Sequence, residues 1–195
     1  MRLDTVFSGV GGQGVVVLSD IYCEAAMLDG FDVAKAEIHG MAQRGGSIVA
    51  YARIGDKVES PLIETGKADV VVGFEILETA RALPMLKRDG EIIVNMKYIP
   101  PAGSVSNLKP KKTEDLIQLL KTKGKVHEVD GIGIAQKLGN LLVVNTVLLG
   151  AFSALPEVPI RQESFKQAIA GRLKEKYINV NLKAFELGKE SVLLS

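Results

Sequence analysis

The feature that most constrains this chain lies at its beginning. A short strand candidate, Leu3 to Phe7, enters Gly9-Val10-Gly11-Gly12-Gln13-Gly14, and a helical pattern from Val15 to Leu28 follows, ended by Gly30. A strand that turns through glycines directly into a helix is the opening unit of a layered α/β fold. Each glycine is expected to have a task. Gly9 permits the tight turn, Gly11 lets another group approach the backbone, and Gly14 lets helix and strand pack closely. The first N–H groups of the helix have no partner within it, so the loop faces a ready anion site. The additional Gly12 and the polar Gln13 leave a bare surface, suited to a backbone-mediated contact with a ligand or a neighbouring chain.

The dinucleotide-binding fingerprint also asks for an acidic residue about 20 positions further on, for the ribose. Glu37, near the end of a second strand candidate (Asp32 to Ile38), fills that place. Two readings stay open here: a nicotinamide or flavin site, and a turn that is glycine-rich because packing demands it.

Further along, apolar runs alternate with helical patterns. Strands are expected at Ser47 to Ile54, Val70 to Val72, Glu91 to Asn95 after an Asp89-Gly90 turn, and Lys125 to Val129. Helices are expected at Ile76 to Leu86, at Thr113 to Lys121 with Thr113 as capping residue, and through most of the chain from Ile134, punctuated by Pro156 and Pro159. Repeated β-then-α order predicts one domain over residues 1–195, with a Rossmann-like, mostly parallel sheet flanked by helices and a C-terminal helical extension. Ser47 to Ile54 follows a strand with no helix between, which marks it as an antiparallel or edge element, with Ile48, Ala50 and Ala52 on one face.

A second loop, His39-Gly40-Met41-Ala42-Gln43-Arg44-Gly45-Gly46-Ser47, joins two strand candidates. Arg44 offers a fixed fork of donors suited to carboxylate or phosphate, and Gly45 and Gly46 allow a sharp turn to present it. Gln43 and His39 are the polar side chains beside it, and His39 is able to titrate near neutrality. The plain alternative is an exposed turn arginine. The two loops are expected to lie near one another at the carboxyl edge of the sheet. Asn145, inside an apolar helix, needs a hydrogen-bonding partner and is expected to face the glycine loops or a subunit interface.

Other residues read as structural. Cys23 lies among apolar neighbours in the first helix and is expected to be a buried small hydrophobe. His127 sits in a strand, with a structural or surface role. Glu75 and Glu78 open a helix at a strand end, where the dipole favours carboxylates. The stretch from Tyr98 to Lys112 reads as a solvated connector, or as a cationic contact through Lys109, Lys111 and Lys112.

Composition excludes several classes. Hydrophobic residues make up 47% of the 195, charged residues 24%, and the net charge is +1. Such a chain fills a core and carries no global field for nucleic acid or an anionic membrane. One cysteine cannot hold an iron–sulfur cluster or a cysteine-based zinc, and two distant histidines give no metal spacing. The opening Met1-Arg2-Leu3-Asp4 lacks the apolar core of a signal peptide, and no run suits a membrane span, so the expected compartment is the cytoplasm.

Taken together, the two loops resemble the gamma-type domain of 2-oxoacid:ferredoxin oxidoreductases, and the wording of the second is similar to the small subunit of the indolepyruvate type. Ser60-Pro61-Leu62-Ile63, Ala68-Asp69-Val70-Val71-Val72-Gly73-Phe74-Glu75 and Asn145-Thr146-Val147-Leu148-Leu149-Gly150 extend the resemblance along the chain. It implies a subunit, inactive alone, of an enzyme that oxidatively decarboxylates a 2-oxoacid, transfers the acyl group to coenzyme A and passes electrons to ferredoxin. Thiamine diphosphate, Mg and iron–sulfur clusters are then carried by a large partner subunit, and no cofactor is expected on this chain. Without that partner, the exposed interface is expected to favour a homodimer. The alternative is a free-standing nicotinamide- or flavin-binding Rossmann protein.

Overall fold

A computed structural model describes residues 1–40, 45–100 and 112–193. Six strands form one sheet in the order β2-β3-β1-β4-β5-β6. They are β1 (Arg2–Val10), β2 (Asp32–His39), β3 (Ser47–Gly55), β4 (Ala68–Gly73), β5 (Leu86–Asn95) and β6 (Gly124–Val129). β1, β4, β5 and β6 run parallel, whereas β3 is antiparallel to both β1 and β2, so the sheet is mixed. The expectation of an antiparallel Ser47 segment holds, but the segment is internal and β2 takes the edge.

The helices are α1 (Val15–Leu28), α2 (Ile76–Ala82), α3 (Thr113–Lys121), α4 (Gly131–Lys137), α5 (Val144–Ser153), α6 (Gln162–Arg172) and α7 (Glu175–Leu193). Alternation along the strands divides the core. Phe7, Val70, Val72 and Ile93 face α1 and α4 to α7, while Val6, Val71, Ile92 and Val94 face α2 and α3. From Val70 to Gly73 β4 is buried on both sides, which is why Val70-Val71-Val72 is a continuous apolar run rather than an alternating one. On the larger face Phe7, Tyr22 and Phe152 form an aromatic cluster, with Tyr22 and Phe152 edge to face at 5.1 Å between centroids and Phe7 tilted against both.

Three local expectations are corrected. The helix expected to reach Leu86 ends at Ala82, because Pro84 enters a 3-10 turn, Leu83–Met85, and Leu86 is drawn into the sheet. The Asp89-Gly90 turn is an irregularity inside β5, where Asp89 takes φ 57 and the register against β4 shifts. Thr113 does not cap α3; Lys112 occupies that position without a side-chain bond, and Glu114 and Asp115 supply the first-turn charge. The connector expected from Tyr98 to Lys112 falls, at 101–111, outside the described residues.

The C-terminal helices pack across the sheet. α7 crosses α5 at two glycines: a Cβ at Gly150 would stand 1.9 Å from the Phe185 carbonyl oxygen, and one at Gly188 1.9 Å from the Val147 carbonyl oxygen. Backbone meets backbone, so neither neighbour can yield. α6 is fastened to α1 through Asp29, whose carboxylate accepts from the Arg161 amide at 2.6 Å, the Arg161 guanidinium at 2.8 Å and the Ser164 hydroxyl. Burial pushes this carboxyl upward, but the combined hydrogen bonds outweigh it and hold it below the ordinary 3.8.

Two predictions follow from this packing. Gly188→Ala should destabilise the chain by about 1–3 kcal/mol through overpacking, whereas Gly171→Ala, at a helical position with nothing within 4 Å, should stabilise it by about 0.4–1 kcal/mol; urea unfolding of both reads the contrast. Asp29→Asn should cost about 1–3 kcal/mol at neutral pH. A depressed carboxyl contributes fully above its unfolded value and less as pH falls through the folded one, so the difference from the unsubstituted chain should close below about pH 4.

Candidate functional site

The first glycine loop leaves β1 at the carboxyl edge of the sheet. Its internal bonds fix its shape. The Val10 amide donates to Gln13 Oε1 at 2.7 Å, the Gln13 amide to the Val10 carbonyl at 3.1 Å, and Gln13 Nε2 to the Phe74 carbonyl at 3.3 Å. The Gln13 side chain therefore staples the loop to the end of β4 rather than projecting from it. The glycine tasks are redistributed. Gly9 lies inside β1, where a Cβ would press on Phe74 and Val15, so it serves close packing. Gly12 and Gly14 take left-handed φ values of 99 and 87, which side-chain-bearing residues rarely adopt. Gly14 makes its close approach to Asn145 of α5 and not to a strand; a Cβ there would stand 3.0 Å from Asn145 Nδ2.

Gly14 also starts α1, and no side chain caps that helix. Its leading N–H groups open beside a pocket of about 320 Å³ lined by Gly12, Gln13 and Gly14, by Asn95 and Asn145, and by apolar residues including Leu141 and Leu142. Asn145 Oδ1 accepts from the Thr146 amide at 2.9 Å; its Nδ2 has no hydrogen-bond partner among the described residues. Leu141 and Leu142 are 58% and 81% exposed, a large apolar rim beside the loop. Asn95 is buried, donating to the Phe74 carbonyl at 3.0 Å and accepting from the Gly131 amide at 3.1 Å. Sequence reasoning missed Asn95 and the leucine rim. Neither carries a local signal, because one is defined by three segments that meet there and the other by what leaves it uncovered.

The second loop closes on the first. The Gly11 amide donates to the Gly46 carbonyl at 2.9 Å, and the Gly40 amide to the Ser47 carbonyl at 2.8 Å. The described ends of the second loop thus lie beside the first at one edge of the sheet, as expected. Gly45 takes φ 73, with open space where a Cβ would stand. Gln43 and Arg44 lie outside the described residues. His39 ends β2, exposed, with Nε2 3.0 Å from Glu37 Oε2. His39, Gly45 and Gly46 do not line the pocket.

Glu37 does not serve as the ribose ligand the fingerprint asks for. β3 stands between β1 and β2, which moves Glu37 two strand spacings, about 10 Å, from β1. Its carboxylate is engaged by Lys35 at 2.6 Å and by His39, and these two bonds hold it below the ordinary carboxylate range. An iron–sulfur cluster does not fit this chain either. Cys23 is buried in α1, and burial pushes its thiol up to about 12. His127 is buried against Glu91 at 2.6 Å, a structural pair within the sheet.

Glu75 caps α2, as the dipole argument predicts. It is buried and accepts from the amides of Leu77 at 3.0 Å, Ile99 at 3.2 Å and Glu78. Burial raises it above the usual carboxylate range, against the lowering effect of those bonds. Among the described residues no helix is long and apolar enough to cross a membrane.

Comparison with known proteins bears on this geometry. The family model described as pyruvate ferredoxin/flavodoxin oxidoreductase matches residues 4–191. The indolepyruvate oxidoreductase subunit IorB of Methanothermobacter thermautotrophicus is 40% identical over 190 residues, covering 96% of each chain. The same subunit of Thermococcus kodakarensis is 37% identical over 94% of this chain and 92% of its own. The crystal structure of a keto/oxoacid ferredoxin oxidoreductase gamma subunit from Geobacter sulfurreducens superimposes with TM-score 0.74 at 25% identity, covering 99% of both chains. These matches and the position of Glu37 set aside the free-standing nicotinamide or flavin protein, and the chain belongs to the pyruvate ferredoxin/flavodoxin oxidoreductase family, on its small-subunit branch.

Proposed function

We propose that this chain is the small subunit of a cytoplasmic enzyme that oxidises indolepyruvate, or a related aryl or branched 2-oxoacid, in a coenzyme A-dependent reaction with ferredoxin as acceptor. The observation that carries the reading is the bond between the Gly11 amide and the Gly46 carbonyl. It joins the two loops that bear the family wording into one surface, beside an uncapped helix N-terminus and the exposed Leu141 and Leu142. An apolar rim beside backbone donors suits a neighbouring subunit with an anionic group at the junction.

The partner is a large subunit holding thiamine diphosphate with Mg and the iron–sulfur clusters, and these groups supply the decarboxylation and electron-transfer chemistry. This chain's part is to bind and orient. Arg44, on the second loop, neutralises an anionic group in the shared site, either the oxoacid carboxylate or a coenzyme A phosphate. Gly12, Gly14, Gly45 and Gly46 keep the approach to the backbone open. Without the partner the exposed rim favours self-association into a homodimer.

Anaerobic purification of the tagged chain from its own host should bring down a brown iron–sulfur partner. The complex should then reduce an artificial acceptor only with indolepyruvate and coenzyme A. Arg44→Ala should lower kcat/KM about 10- to 100-fold, as loss of a charge-assisted hydrogen bond does. The reactant whose KM rises identifies the anion. Lower complex yield with unchanged turnover would make the loop an assembly element, and activity on another oxoacid would move the substrate and keep the family.

A further inference from the structure

α2 carries two buried carboxylates on its first turn, and only one is needed to cap it. Glu75 already accepts from the Leu77 and Glu78 amides. Glu78, its side chain 5% exposed, points elsewhere: Oε2 accepts from the Ser47 hydroxyl at 2.6 Å and Oε1 from the Arg81 guanidinium. A carboxylate this buried is costly unless it is paired, and the position lies at the edge of an apolar cluster where a hydrocarbon side chain would pack. Both partners of Glu78 lie outside the helix-capping requirement. Ser47 is the last residue of the second loop and the first of β3, opposite Val10 in the register.

We infer that Glu78 is a positioning residue for the second loop, acting through Ser47. Around that loop's base, the bonds from the Gly40 and Gly11 amides to the Ser47 and Gly46 carbonyls are backbone bonds. Ser47 to Glu78 is a side-chain bond that ties the base to α2 on the other face of the sheet, and the Arg81 guanidinium holds the carboxylate in place. A base pinned on two sides holds Gly40 and Gly46 in one arrangement, at a lower ordering cost when a ligand or subunit arrives. The inference rests on the functional reading of that loop given above.

Ser47→Ala removes the hydroxyl and leaves Glu78 its partner Arg81, so the chain should fold, while Ser47→Thr keeps the hydroxyl and serves as the rescue. In the intact chain, amide hydrogen exchange at Gly11 and Gly40 should accelerate roughly tenfold in Ser47→Ala and stay near the unsubstituted rate in Ser47→Thr. Glu78→Gln should accelerate both amides in the same direction. In the complex with its large subunit, Ser47→Ala should raise KM for the same reactant as Arg44→Ala, by roughly tenfold, with kcat within about twofold. In the Arg44→Ala background it should add nothing further. Unchanged exchange in Ser47→Ala overturns the positioning role whatever the activity, as does a kinetic cost that persists undiminished in the Arg44→Ala background. Accelerated exchange with unaltered kinetics in both Ser47→Ala and Arg44→Ala overturns instead the functional reading of the loop.

Discussion

The antiparallel register between β1 and β3 is the constraint on which the rest of the site depends. It runs the whole length of both strands, from Arg2 opposite Gly55 to Val10 opposite Ser47. A slip of one residue would turn Ala50, Ala52 and Ile54 away from the core that α1 covers, so burial holds the register. With Val10 and Ser47 opposite one another, the chain that leaves β1 and the chain that enters β3 emerge side by side. The Gly11 to Gly46 bond then closes the ladder one step beyond the strands. Two loops separated by a helix and a strand in sequence become one surface.

The two faces of the sheet contribute unequally to that surface. On the larger face α5 is pressed against the glycine loop by α7, which approaches through Gly150 and Gly188 without intervening side chains. That close crossing sets the depth at which Asn145 meets Gly14 and leaves Leu141 and Leu142 standing at the rim. On the smaller face α2 acts through buried carboxylates. Glu75 holds the backbone at Ile99 and Glu78 holds Ser47. Apolar packing therefore places one side of the site and charge-assisted hydrogen bonds place the other, and the second are costly to leave half made.

Legibility followed range. α1 and α3 were readable to their bounds, because helix periodicity and the residues around their ends are local signals. The Asn145 expectation was legible too, since an amide in an apolar helix needs a reason. Glu37 misled: its distance in sequence from the glycine loop satisfied the fingerprint, but the fingerprint presumes that the second strand lies beside the first, and here β3 is inserted between them. Gln13 read as part of a bare surface for backbone-mediated contact, and its side chain is instead bonded within its own loop and to the Phe74 carbonyl. Asn95 gave no sign, because its importance comes from Phe74 and Gly131, which only the fold brings to it.

By itself the sequence determined the β–α order, the existence of two glycine loops and the family wording they carry, because these depend on neighbours within a few residues along the chain. Tertiary structure alone decided the strand order, the inward turn of Gln13, the loss of Glu37 to an ion pair with Lys35, and the tie between Ser47 and Glu78. The strand order, the Gln13 bond to the Phe74 carbonyl and the Ser47–Glu78 tie join groups distant in sequence, and even for close neighbours such as Lys35 and Glu37 whether a polar side chain faces a ligand or another residue is settled by which partner is near enough to satisfy it once water is excluded.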